Sequence, residues 1–202
     1  MTTAADVHND SNSETRTRCL SGAIARLATI LSAGLSLYAL YWVVGIVQPQ
    51  LYRVSFLLVT LTLSFLLYPA SQRSKNHITA SDWVLIVLAI LALGWPIVDL
   101  DQFVYRAATP SNTDLVLGIL TTALVLEATR RTIGPILPIT AICFLAYGYL
   151  GPTLDLIGLG LFAHRGYDTA RLVGTLYITL EGIWGVPLDV ASTYIVLFTI
   201  FG

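Results

Sequence analysis

Residues 27–47 read LATILSAGLSLYALYWVVGIV, and no Asp, Glu, Lys or Arg interrupts the chain from Leu27 to Tyr52. About 20 consecutive apolar residues cross a hydrocarbon layer roughly 30 Å thick, so this stretch is long enough to span a bilayer. Charge is also missing from Val54 to Gln72 and from Trp83 to Val98. Hydrophobic residues make up 55% of the 202 and charged residues 11%, where a soluble domain carries about 25% charged. The surplus apolar surface needs lipid. The expected fold is all-α: a polytopic transmembrane protein of five spans, a broken or re-entrant sixth segment, and the start of a further helix.

The composition also excludes function classes. A net charge of −1 offers no surface for a polyanion, so nucleic acid is not an expected partner. Cys19 lies in a polar leader and Cys143 deep in an apolar run, settings too different for a disulfide, and no redox or zinc motif surrounds either. His8, His77 and His164 have no partner spacing, so neither a catalytic constellation nor a metal site is expected, nor any resident cofactor. The chain reads as a membrane protein and not as an enzyme.

The leader, rich in Thr, Ser, Asn and Asp, predicts a disordered cytoplasmic tail over residues 1–26. Arg16, Arg18 and Arg26 ahead of an apolar run superficially match a secretory signal. That run exceeds a signal's apolar core and lacks a small-x-small site, so it reads as a retained span. Further spans are expected from Val54 to Tyr68 before Pro69, from Trp83 to Val98, from Thr113 to Arg130, and from Ile133 to Leu150. Ser81 or Asp82 would cap the third and Trp95-Pro96 would close it, while Gly151-Pro152 would end the fifth. Cytoplasmic loops retain Lys and Arg. With the N-terminus inside, inner segments hold Arg16, Arg18, Arg26, Arg73, Lys75, Arg130 and Arg131, and outer ones Arg53, Arg106, Arg165 and Arg171, seven against four. That balance predicts a cytoplasmic N-terminus.

Beyond Gly151 glycines interrupt the apolar pattern. Asp168 is placed to cap a helix running to Leu180, after which Glu181-Gly182-Ile183-Trp184-Gly185-Val186-Pro187 breaks it and a second helix starts near Asp189. Irregular backbone at membrane depth survives only where protein or a water-filled cavity satisfies its amides and carbonyls. Transporters use such breaks, because half-helix N-termini face anions and unwound carbonyls coordinate cations. Glu181, Asp189, Ser192 and Thr193 have the chemistry for a substrate or ion pathway, with Gly182, Gly185 and Pro187 shaping the backbone. The plainer alternative is an amphipathic surface segment with its acids at the water boundary. Glu127 lies three and four residues before Arg130 and Arg131, spacings that pair charges on a helix. This reads as an ion-paired anchor at the membrane edge.

Leu126-Glu127-Ala128-Thr129-Arg130-Arg131-Thr132-Ile133-Gly134, Gly148 to Pro152, Glu181 to Leu188, and Phe198 to Gly202, in that order and spacing, resemble the fused membrane subunits of TRAP transporters of the TAXI-associated type. The likeness covers most of the chain from Arg106 onward; the earlier spans match in hydropathy alone. It implies inner-membrane uptake of an organic anion, usually a carboxylate, delivered by a periplasmic substrate-binding protein. Transport would be coupled to Na+ or H+ and driven by an elevator-like movement against a scaffold. Residues 27–131 would then correspond to the small-subunit scaffold and 132–202 to the beginning of the large-subunit permease domain. Family members continue through many more spans, so the remainder of the permease is an expected partner.

Overall fold

The computed structural model describes residues 17–18, 20–45, 47–70, 78–107, 109–156, 158 and 160–202. Most of the expected tail, together with Cys19 and the stretch 71–77 carrying Arg73, Lys75 and His77, lies outside the described residues. Five helices are long and apolar enough to cross a membrane: α1 (Gly22–Val44), α2 (Pro49–Leu67), α3 (Ala80–Val98), α5 (Asn112–Thr132) and α6 (Ile136–Leu156). A short α4 (Leu100–Tyr105) links α3 to α5. After α6 come α7 (Thr169–Val173), continued by a π turn (Gly174–Ile178), then α8 (Val186–Val190), a second π turn (Ala191–Ile195) and α9 (Val196–Phe201). The chain is a polytopic helical membrane protein.

The core sits on α2. Val54, Leu57, Leu61 and Phe65 meet Ile86, Ala89 and Leu93 of α3 and Leu124 and Ala128 of α5. In α2, 56% of the apolar window is buried, against 11% in α1 and in α6, which makes α2 the central helix and leaves α1 and α6 facing outward. Ala89 and Ala92, both 0% exposed, let the α3 backbone come close to its neighbours.

Several expected boundaries move, each for a local reason. The second span begins at Pro49 instead of Val54, since proline at the first helical positions forfeits no hydrogen bond; this draws Arg53 inside the helix. Neither Ser81 nor Asp82 is the N-cap of α3. Thr79 holds that position, and the Asp82 carboxylate accepts from the Thr79 N–H at 2.9 Å. Pro96 does not close α3, which continues to Val98. A proline within a helix removes the N–H that would reach the carbonyl four residues back, here that of Ala92, and the Tyr177 hydroxyl donates to that oxygen instead at 2.6 Å. Pro152 likewise lies inside α6 rather than ending it. The freed Gly148 carbonyl accepts the Tyr167 N–H at 3.0 Å. In both cases the segment after α6 supplies the donor that proline lacks, which ties the broken region to the spans it follows.

Helix α5 ends as a glycine-terminated helix should. Gly134 takes φ +117° and its N–H returns to the Thr129 carbonyl at 3.3 Å, a backbone geometry that glycine adopts without strain.

Candidate functional site

The expected helix from Asp168 to Leu180 stops at Ile178, where Thr179 turns extended. Residues 179–185 form the break, and the next helix opens at Val186 with Pro187 in its first turn. Two glycines are sterically required there. A Cβ on Gly182 would strike the backbone of Leu176, and one on Gly185 would lie 2.9 Å from the Gly182 carbonyl oxygen. The turn folds back onto itself: the Ile183 N–H donates to the Leu176 carbonyl at 2.8 Å, and the Trp184 indole N–H donates to the Tyr177 carbonyl. Trp184 and Tyr177 are both fully buried.

The rest of the break is held by the first turn of α2. The Gln50 side chain donates to the Ile178 carbonyl at 3.1 Å, and the Tyr52 hydroxyl to the Ser192 carbonyl at 2.7 Å. Arg53 donates to the Trp184 carbonyl at 2.8 Å and pairs with the Asp189 carboxylate at 3.0 Å. Trp42 of α1 stacks on the Tyr52 ring at 4.3 Å, fixing the hydroxyl's aim. Apolar surroundings make unpaired backbone groups expensive, and the α2 side chains supply donors for carbonyls that a straight helix would have satisfied internally.

The expected pathway residues therefore divide. Asp189, Ser192 and Thr193 lie on one helical turn: the Ser192 and Thr193 hydroxyls both donate to the Asp189 carbonyl, and only Asp189 carries its side chain to another element, α2. Glu181 is exposed, and its carboxylate forms no hydrogen bond or ion pair among the described residues. It does not join Asp189. Helix α7 packs directly on the backbone of α5, for a Cβ on Gly118 would collide with Val173 and Tyr177.

Each end of the bundle also carries an ion cluster. At one end Glu127 binds Arg130 and Arg131, each at 2.7 Å. The Arg131 guanidinium continues to Asp82 at 2.7 Å and lies 5.2 Å over the Phe65 ring. Asp82, 0% exposed, binds Arg18 at 2.6 Å as well, so the anchor is a buried network joining the chain ahead of α1 to α3 and α5. At the other end Arg106 bridges Asp99 and Asp114, each at 2.9 Å. Those two carboxylates, Asp99 foremost, raise the Arg106 pKa above its usual value. Trp95 donates to Asp114 at 3.3 Å, and the loop ahead of α5 supports the π turn that follows α7, where a Cβ on Gly174 would lie 3.1 Å from Pro110.

Gln50, Tyr52, Arg53, Arg18 and Asp82 were not singled out as site residues from the sequence. Arg53 had a usable signal: four residues beyond a helix-starting proline, it falls inside a span, where a charge calls for a partner. The remainder depend on contacts between residues far apart in the chain. No group of His, Cys, Asp and Glu suited to a metal ion occurs among the described residues. No protein-family model matches this chain, and neither a curated protein nor a solved structure matches it.

Proposed function

We propose that this chain is a membrane component of a tripartite, binding-protein-dependent secondary transporter for organic anions. In this reading residues 27–131 form the scaffold, and the break at 179–185 belongs to the entry of a transport core. The observation that carries the reading is the interrupted helix pair itself. A polar break flanked by half-helices is an arrangement on which secondary transporters build substrate and ion sites, and here, against the first turn of α2, it holds a carboxylate, Asp189, in the first turn of the second half-helix. The ordered motifs from Leu126 to Gly202 give independent support. The proposed setting is the bacterial inner membrane with a cytoplasmic N-terminus, the partners are a periplasmic substrate-binding protein and the remainder of the permease, and the coupling ion is Na+ or H+.

The test is uptake of labelled organic acids into proteoliposomes that contain this chain, the adjoining permease region and the binding protein, under an imposed Na+ or proton gradient. Gradient-dependent uptake that Asp189→Asn reduces at least tenfold is expected. No uptake above empty liposomes, from protein that remains helical and monodisperse, refutes the proposal.

One observation favours a second reading, that of an accessory scaffold: the carbonyls of Tyr177, Ile178, Trp184 and Ser192 already have internal donors. A scaffold predicts that Glu181→Gln leaves the activity of a partner complex unchanged, whereas disrupting the packing of α2 abolishes it.

A further inference from the structure

Between α6 and α7 lies a cleft of about 390 Å³, lined by Phe144, Leu145, Tyr167, Arg171, Leu172 and Leu176, among others. Its depth follows from Gly148, also in the wall: a Cβ there would be 3.3 Å from Leu172. Gly148 precedes Leu154, the last residue of the α6 apolar span, by roughly 9 Å at 1.5 Å per residue. The cleft therefore lies inside the α6 apolar span, toward its C-terminal end, and it opens beside Phe144, which is 71% exposed. Its wall includes one cation. The Arg171 guanidinium sits 5.5 Å over the Tyr167 ring, and it has no carboxylate partner among the described residues; Asp168, one turn earlier, is exposed and makes no ion pair with it. A guanidinium at this level is costly without a counter-charge, and long side chains reach toward headgroup phosphates to find one.

We propose that this cleft binds one anionic phospholipid, with an acyl chain against Phe144, Leu145 and Leu176 and the phosphate on Arg171. The ligand enters from the bilayer, since the apolar wall and the cation together match an amphiphile and neither alone would. This inference needs only the membrane fold and is independent of the transport reading.

Native mass spectrometry of the purified chain in mild detergent, offered equal amounts of phosphatidylglycerol and phosphatidylcholine, tests it. Wild type should retain phosphatidylglycerol about fivefold better, the preference expected of about 1 kcal/mol from one basic residue near a lipid surface. Arg171→Gln should erase the preference and Arg171→Lys should keep most of it, which separates loss of charge from loss of fold. Thr175→Phe, projecting into the cleft, should lower retention of both lipids. Millimolar inorganic phosphate should not displace the lipid. Equal retention by wild type, an unchanged preference in Arg171→Gln, undiminished binding in Thr175→Phe, or displacement by free phosphate each overturns the proposal.

Discussion

Arg53→Met removes the guanidinium that fastens the break to α2 and keeps an unbranched apolar stem. Two interactions vanish. The first is the bond to the Trp184 carbonyl at 2.8 Å, at a residue that is fully buried; a hydrogen bond from a charged donor contributes about 1.5–3 kcal/mol. The second is the ion pair with Asp189, whose side chain is 34% exposed, so solvent screening limits it to about 0–1 kcal/mol. Together they make local opening of the break easier by about 1.5–4 kcal/mol. At 1.4 kcal/mol per tenfold change, amide exchange there should accelerate roughly 10- to 700-fold. Hydrogen–deuterium exchange with mass spectrometry reads this directly in a peptide covering residues 180–192, with a peptide from the middle of α3 as internal control. A change under about threefold at the break refutes the reasoning. An equal acceleration in α3 refutes it too, because Arg53 would then be holding the whole bundle and not the break.

Asp82→Asn takes away the buried carboxylate that Arg18 and Arg131 share and should cost about 3–5 kcal/mol, measured by denaturation in sodium dodecyl sulphate, whereas Glu127→Gln, at a side chain 27% exposed, should cost under about 1 kcal/mol; equal effects would contradict the buried-hub picture. Tyr177→Phe takes away the hydroxyl that donates to the Ala92 carbonyl. Pro96 has no N–H to replace it, and about 1–3 kcal/mol of stability should be lost in the same assay.

The spans were legible because lipid imposes one strong constraint, a long uncharged run, and the sequence between Leu27 and Leu150 meets it four times, while the fourth span in chain order has only the 12 uncharged residues 115–126 between Asp114 and Glu127. Their ends were less so, because Pro49, Pro96 and Pro152 each carry two meanings. A proline stops a helix when nothing else can satisfy the carbonyl behind it and is tolerated when something can. That something was Tyr177 or Tyr167, many residues away. Glu127 with Arg131 was readable from spacing alone, being a contact within one helix. The extension of that pair through Asp82 to Arg18, 64 residues apart in the chain, was not, and neither was the attachment of the break to Gln50, Tyr52 and Arg53. Local pattern identifies where backbone is interrupted; it does not say which distant side chain makes the interruption tolerable.

Two stretches near the break, Gly174–Ile178 and Ala191–Ile195, are wound as π turns. Each accommodates one more residue than an α turn would, and one residue of α-helix corresponds to about 100° of rotation. The π turn between α8 and α9 thus acts as a phase shifter: the azimuth of Phe198 and Phe201 relative to Asp189 is offset from the one an uninterrupted helix would give. Deleting a single residue from Ala191–Ile195 and restoring regular winding would swing both phenylalanines to a different side of the rod while Asp189 kept its place on Arg53.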